Sequence, residues 1–247
     1  MTILRRFLLM LQFFTTIPIK INLRINEVDF GKGLVFAPLI GTILGAILGG
    51  LYIVYSYILP VSVATALTVV SYIVLTGGIH LDGLGDTFDA VYSGRPKERM
   101  LEIMRDSRVG TNAVLAVVSI VLLDFVVLNQ FKEVDMIGAL ICALTAGRTS
   151  ALIGASFFEY AGKDGGLAEP FTKYCGIKEA VVGILAYSTV FIFFYGFMNL
   201  HILIGMIVAS YAILFILSKK IGGVTGDILG ATIEIIQTLC LIVICTL

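Results

Sequence analysis

The stretch Leu34-Val-Phe-Ala-Pro-Leu-Ile-Gly-Thr-Ile-Leu-Gly-Ala-Ile-Leu-Gly-Gly-Leu-Tyr-Ile-Val-Tyr-Ser-Tyr-Ile-Leu59 carries no charged side chain. About 20 consecutive apolar residues cross the hydrocarbon core of a bilayer as a helix, and this run exceeds that length. Six further apolar runs follow at roughly 61–79, 113–128, 135–157, 180–198, 202–217 and 228–247, of which 113–128 and 202–217 are short. Composition agrees with a chain surrounded by lipid. It is 58% hydrophobic and only 14% charged, with a mean hydropathy of +1.02, whereas soluble domains hold about 25% charged residues to cover their surface. The expected fold class is therefore all-α, a polytopic helical membrane protein with about seven transmembrane helices. Segments between the runs are brief and no internal repeat is visible, so residues 1–247 read as a single integral membrane domain.

Ahead of the first full span, Arg5 and Arg6 precede the run Phe7 to Ile17, which imitates a signal peptide. No small-x-small cleavage site follows, and Pro18 with Lys20 closes the segment, so an N-terminal interfacial or re-entrant helix is expected. Cys142, Cys175, Cys240 and Cys245 form no C-x-x-C pair and read as packing residues. Gly41, Gly45 and Gly49 recur every fourth residue in the first span, a stripe on which a neighbouring helix can approach closely.

Basic residues orient the chain. Segments 1–33, 80–112, 159–179 and 218–227 hold fifteen Lys and Arg, Arg24 and Lys163 among them, while the segments at the opposite ends of the spans hold only Lys132. Cytoplasmic segments of membrane proteins carry the excess of Lys and Arg. The expectation is a multi-pass protein of the cell (inner) membrane whose catalytic loops, 80–112, 159–179 and 218–227, face the cytoplasm. The 17 basic and 17 acidic residues cancel, so net charge offers no attraction to nucleic acid.

Most of the chemistry lies in Gly77-Gly-Ile-His-Leu-Asp-Gly-Leu-Gly-Asp-Thr-Phe-Asp89, directly after the second run. Asp82, Asp86 and Asp89 stand at i, i+4 and i+7, so on a helix they share one face within two turns. Three crowded carboxylates repel one another, and a hard cation such as Mg²⁺, or Mn²⁺, held by carboxylates, waters and substrate phosphates relieves the repulsion. A solvated helix face would account for the aspartates alone. The flanking glycines and the position at a membrane boundary favour the metal, and His80 joins the candidate catalytic set with the three aspartates.

Downstream, Ser93 to Asn112 opens with Pro96 and places Met100, Leu101, Ile103 and Met104 on one apolar face, an amphipathic helix on the membrane. Arg105, Ser107 and Arg108 supply charge and a hydroxyl suited to phosphate oxygens. Arg148 lies inside an apolar run, where a charge costs about 2.5–3.5 kcal/mol on insertion scales, and is expected to face the site. Two further polar, glycine-rich stretches return to the charged side. Gly162-Lys-Asp-Gly-Gly166 contributes Asp164 as a candidate substrate contact, and Gly222 to Ala231 contributes Asp227 as a fourth candidate metal ligand. Glu234, seven residues beyond Asp227 on the same helical face, completes the candidate substrate-binding set.

Four of these stretches occur in an order that resembles the cobalamin synthases, the adenosylcobinamide-GDP ribazoletransferases. They are Leu11-Gln-Phe-Phe-Thr-Thr-Ile-Pro18, Gly78 to Asp89, Arg105-Asp-Ser-Arg-Val-Gly110 and Gly223 to Ala231. A departure is Ala90-Val91 after Asp89, where a glycine is expected. The resemblance implies transfer of the cobinamide phosphate of adenosylcobinamide-GDP to α-ribazole or its 5′-phosphate, with release of GMP, in a lipid bilayer. It leaves room for a homo-oligomer or a complex with other cobalamin-pathway enzymes. Membrane prenyltransferases also bind Mg²⁺-diphosphate through aspartates, but no second aspartate-rich repeat is evident. CDP-alcohol phosphotransferases carry Ala-Arg after Asp-Gly, which is missing here. A cation transporter would place acids near mid-membrane on several helices, where this chain has only Asp124, Arg148 and Glu234 embedded.

Overall fold

The computed structural model describes residues 2–21, 23, 26–162 and 166–247. Arg24, Lys163 and the candidate Asp164 lie outside the described residues. Twelve α-helices run in the order α1 (Thr2–Phe14), α2 (Glu27–Gly33), α3 (Ala37–Ile58), α4 (Val61–Thr76), α5 (Ile79–Tyr92), α6 (Lys97–Ile103), α7 (Thr111–Leu128), α8 (Glu133–Phe157), α9 (Glu169–Tyr174), α10 (Ile177–Tyr195), α11 (Leu200–Ile221) and α12 (Gly226–Ile244) among the described residues. The only pairing outside helices there is an isolated parallel bridge between Tyr160 and Val224.

Six segments are long and apolar enough to cross a bilayer among the described residues: Glu27–Ile58, Thr111–Leu128, Glu133–Phe157, Ile177–Tyr195, Phe197–Ile221 and Gly226–Ile244. A seventh crossing is counted only if α4 and α5 are taken together across the 88° bend between them. The reason for that bend is local. Gly77 and Gly78 both take left-handed backbone, φ 62° and 69°, a pair of conformations that side chains with a Cβ resist. Gly77 N–H closes α4 onto the carbonyls of Ile73 and Val74, and α5 begins at once in a new direction. The second apolar run therefore ends as helix at Thr76, and the aspartate-rich segment expected as part of a loop is itself a 14-residue helix. The sixth run extends further than its uncharged core, because Lys219 and Lys220 form the last turn of α11, where long side chains reach toward the interface.

α8 is the centre of the bundle, with 94% of its most apolar window buried inside the protein. Its neighbours come close because the glycine stripe of α3 lies against it: a Cβ at Gly41 would meet Leu144, at Gly45 Ile141, and at Gly49 Ile137. α12 covers another flank of α8 through Gly147, where a Cβ would stand 2.8 Å from the Ile233 carbonyl oxygen. α1, with 13 residues, is too short to span and instead buries Leu9, Met10 and Phe14. The chain after it is tied to the end of α4 by Thr16 N–H donating to the Leu75 carbonyl at 2.8 Å. At the same end of the bundle the 159–161 segment is stitched to the start of α12, with Val224 N–H donating to Glu159 and Ala161 N–H to Val224. The chain after α1 and the 159–161 segment are thus brought to the first turns of α5 and α12.

Candidate active site

The meeting of α5 and α12 rests on two glycines. A Cβ on Gly83 would stand 3.0 Å from Asp227 Cα, and one on Gly230 would stand 3.4 Å from His80 Cα. Each helix therefore presents bare backbone where the other brings a functional residue. Thr225 caps α12, its side chain accepting from Ile228 N–H, and this holds Asp227 in the first turn, where the helix dipole favours an anion.

A cavity of about 490 Å³ opens beside this junction, lined on its polar side by Asp82, Asp227, Arg105, His80 and Tyr160. Asp82 and Arg105 are exposed at its mouth, whereas His80 is only 4% exposed. Asp86 stands one turn beyond Asp82, and its carboxyl is pushed up to about 7, first by burial and then by Asp82, Asp227 and Asp89. Asp86 thus feels three other carboxylates, and the raised value means that its negative form is disfavoured. Among the described residues, no three His, Cys, Asp or Glu are gathered closely enough to enclose a metal by themselves. Mg²⁺ does not need such a cage, since it usually takes one or two carboxylates and completes its shell with waters and phosphate oxygens. The donor set fits a hard divalent cation held jointly with a substrate.

Asp89 is corrected. Its two oxygens accept from Gly110 N–H at 2.6 Å and Ala113 N–H at 3.0 Å, so this carboxylate caps α7 from a distance of 21 residues. Gly110, at the N-cap, has no side chain to do so, and its own Cβ would collide with the Asp89 carboxylate. Asp82, Asp86 and Asp227 remain as the acids available to a ligand.

Arg148 and Glu234 lie apart from the cavity lining. Both are buried, at 0% and 1% exposure. They lie one helical turn deeper than its lining residues Ala151 and Gly230. Arg148 donates to Gln237 at 2.6 Å and sits 5.6 Å from the Tyr72 ring centroid. The Tyr72 hydroxyl donates to Glu234. Each charge thus has one hydrogen-bonded polar partner inside the membrane, while Arg148 Nε and Nη2 and Glu234 Oε2 are buried without one.

Of the phosphate-binding candidates, Arg105 reaches the cavity and Arg108 does not. Arg108 is clamped to Asp106, its Nε donating to both carboxylate oxygens at 3.0 Å, and is 84% exposed. The pairing holds the Asp106 carboxyl below the usual carboxylate range. Ser107 is exposed and lies outside the cavity lining. Sequence reasoning missed the apolar side of the cavity altogether. Phe13 and Phe14 of α1 and Phe171 of α9 line it with Leu34, and nothing in their local spacing separates them from lipid-facing phenylalanines.

Residues 6–245 match the model of the family described as Cobalamin-5-phosphate synthase. Similar chains named adenosylcobinamide-GDP ribazoletransferase occur in Clostridium acetobutylicum, 44% identical over 99% of this chain and 97% of the relative. One from Acetivibrio thermocellus is 44% identical over 98% of each chain, and one from Clostridium novyi is 37% identical over 95% of this chain and 94% of the relative. No solved structure matches.

Proposed function

The chain belongs to the cobalamin-5-phosphate synthase family, and from that premise we propose how its cavity serves the reaction. It is a transferase of cobalamin synthesis that joins adenosylcobinamide-GDP to α-ribazole, or its 5′-phosphate, and so completes the nucleotide loop. A ribose hydroxyl oxygen bonds to the phosphorus on the cobinamide side as its proton passes to water, and the bond from that phosphorus to the bridging oxygen breaks. Its electron pair leaves on GMP. No covalent intermediate on the protein is needed, so the site must supply charge and alignment.

Asp82 and Asp227, which line the cavity from α5 and α12, would hold Mg²⁺ or Mn²⁺ with Asp86 in support. When bound, the cation neutralises the diphosphate and stabilises the departing GMP. Arg105 pairs with phosphate oxygens that the carboxylates themselves repel, using its planar fork. The single observation that carries this reading is the convergence of Asp82, Asp227 and Arg105 on one cavity from three separate segments. The fifteen-to-one distribution of basic residues supports a cell-membrane orientation with the cavity open to the cytoplasm.

The test uses purified protein in lipid nanodiscs with adenosylcobinamide-GDP, α-ribazole and its 5′-phosphate, following GMP release with and without EDTA. Mg²⁺-dependent GMP release that requires the acceptor is the expected result. GMP release that survives exhaustive chelation contradicts the metal assignment.

A further inference from the structure

The cavity is chemically two-sided. Its exposed mouth carries Asp82 and Arg105, while its interior is walled by Phe14 and Phe171, 2% and 3% exposed. These rings belong to a continuous aromatic array. The Phe14 ring lies 5.4 Å from the His80 ring, and Phe13 contacts Phe14 at 5.1 Å and Phe171 at 5.5 Å. At the boundary between the two halves stands His80, whose Nε2 is buried without any partner. A buried polar atom left unpaired is costly, and among the described residues that hold one, His80 is the one that lines this cavity.

Size and chemistry select the occupant. A cavity of about 490 Å³ is of the size that encloses one drug-sized molecule, whereas a corrinoid with its adenosyl group and amide arms is several times larger and must remain outside the mouth. With the corrinoid and its adenosyl group outside, two flat heterocycles remain, guanine and the base of ribazole. Guanine carries a carbonyl, a ring N–H and an amino group on its edges, and an aromatic wall leaves them unpaired. A benzimidazole-type base has an apolar benzo edge and loses nothing there. Aromatic faces also favour stacking on such a ring.

Resting on the transferase reading above, we propose that the interior half of the cavity is the acceptor subsite. Phe13, Phe14 and Phe171 hold the flat base of α-ribazole, and His80 Nε2 hydrogen-bonds a ribose hydroxyl. His80 precedes Asp82 by two residues, so this arrangement puts the ribose between the aromatic wall and the acids that hold the diphosphate. It also gives α1 a purpose, since the short N-terminal helix supplies two of the three rings.

Initial rates with each substrate varied test this. Ala151→Met fills the cavity from α8, and Phe171→Leu trims the wall while keeping it apolar. In folded protein, confirmed by gel filtration, each should raise KM for α-ribazole about tenfold or more and leave KM for adenosylcobinamide-GDP within about twofold. Inhibition of the unaltered protein needs no variant: dimethylbenzimidazole should compete with α-ribazole, and guanosine should not. A rise confined to the adenosylcobinamide-GDP KM, or competition by guanosine alone, overturns the subsite while GMP release continues. Absence of GMP release from the unaltered protein would instead remove the transferase reading.

Discussion

Gly83 of α5 lies directly against Asp227 of α12: a Cβ built on the glycine would stand 3.0 Å from the aspartate Cα and 3.1 Å from its carbonyl oxygen. This contact sets the separation of the two helices that carry the acids. A side chain there must push them apart, and a misplacement near 1 Å can cost about a hundredfold in rate. Gly83→Val should therefore lower kcat for GMP release by about tenfold or more in protein that still folds. Gly50→Ala, at a glycine with nothing within 4 Å, serves as the control and should be neutral. Equal activity of the two variants would show that the helix spacing is irrelevant to turnover.

Asp89 and Asp82 lie two turns apart on α5 but should behave differently. Losing the cap on α7 costs about 0.5–2 kcal/mol, so Asp89→Ala should lower the melting temperature while leaving Mn²⁺ affinity within about threefold. Electron paramagnetic resonance of Mn²⁺ measures the latter. Loss of Mn²⁺ binding with an unchanged melting temperature would return Asp89 to the ligand set.

Arg148 should matter to stability and not to substrate recognition. Arg148 and Glu234 are both buried and feel one another's charge, and leaving a buried charge without compensation costs about 3–5 kcal/mol. Arg148→Ala should be strongly destabilised, and adding Glu234→Ala should recover part of the loss. In the folded fraction both substrate KM values should stay near those of the unaltered protein. A stable Arg148→Ala variant with a raised KM for adenosylcobinamide-GDP would place the guanidinium at the substrate instead.

Arg105 and Arg108 separate in the same way. A hydrogen bond to a charged group is worth about 1.5–3 kcal/mol, so Arg105→Ala should lower kcat/KM roughly 10- to 100-fold, with Arg105→Lys intermediate. Arg108, which is exposed and engaged with Asp106, should tolerate alanine with a much smaller loss. The reverse ranking in steady-state kinetics refutes the assignment of Arg105.

Much of this site could be read along the chain because its strongest signals are local. The i, i+4, i+7 aspartates announce a helix face, and the glycine stripe of α3 announces close packing against a neighbour. What was hidden depends on distant partners. Asp89 shares the spacing of Asp82 and Asp86, and only the arrival of Gly110 and Ala113 makes it a cap. Arg148 and Glu234 signal function by being charged inside a membrane, yet each bonds a polar residue distant in sequence, Gln237 and Tyr72, away from the cavity lining. Phe13, Phe14 and Phe171 carry no polar mark, so their cavity-facing role emerges only when α1 and α9 meet beside the cavity. Gly77-Gly78 could be recognised as a break, but the 88° turn it produces follows from two consecutive left-handed residues.

The most direct test of the central claim, that acids from α5 and α12 act as one cation and diphosphate site, is Mg²⁺-dependent GMP release by Asp82→Asn, Asp227→Asn and the double variant. Because both residues serve one metal, each single variant should lose turnover almost as completely as the double, with folding preserved and activity partly restored by raised Mg²⁺ in the single variants. Full turnover by either single variant at the unaltered protein's Mg²⁺ requirement would contradict the account.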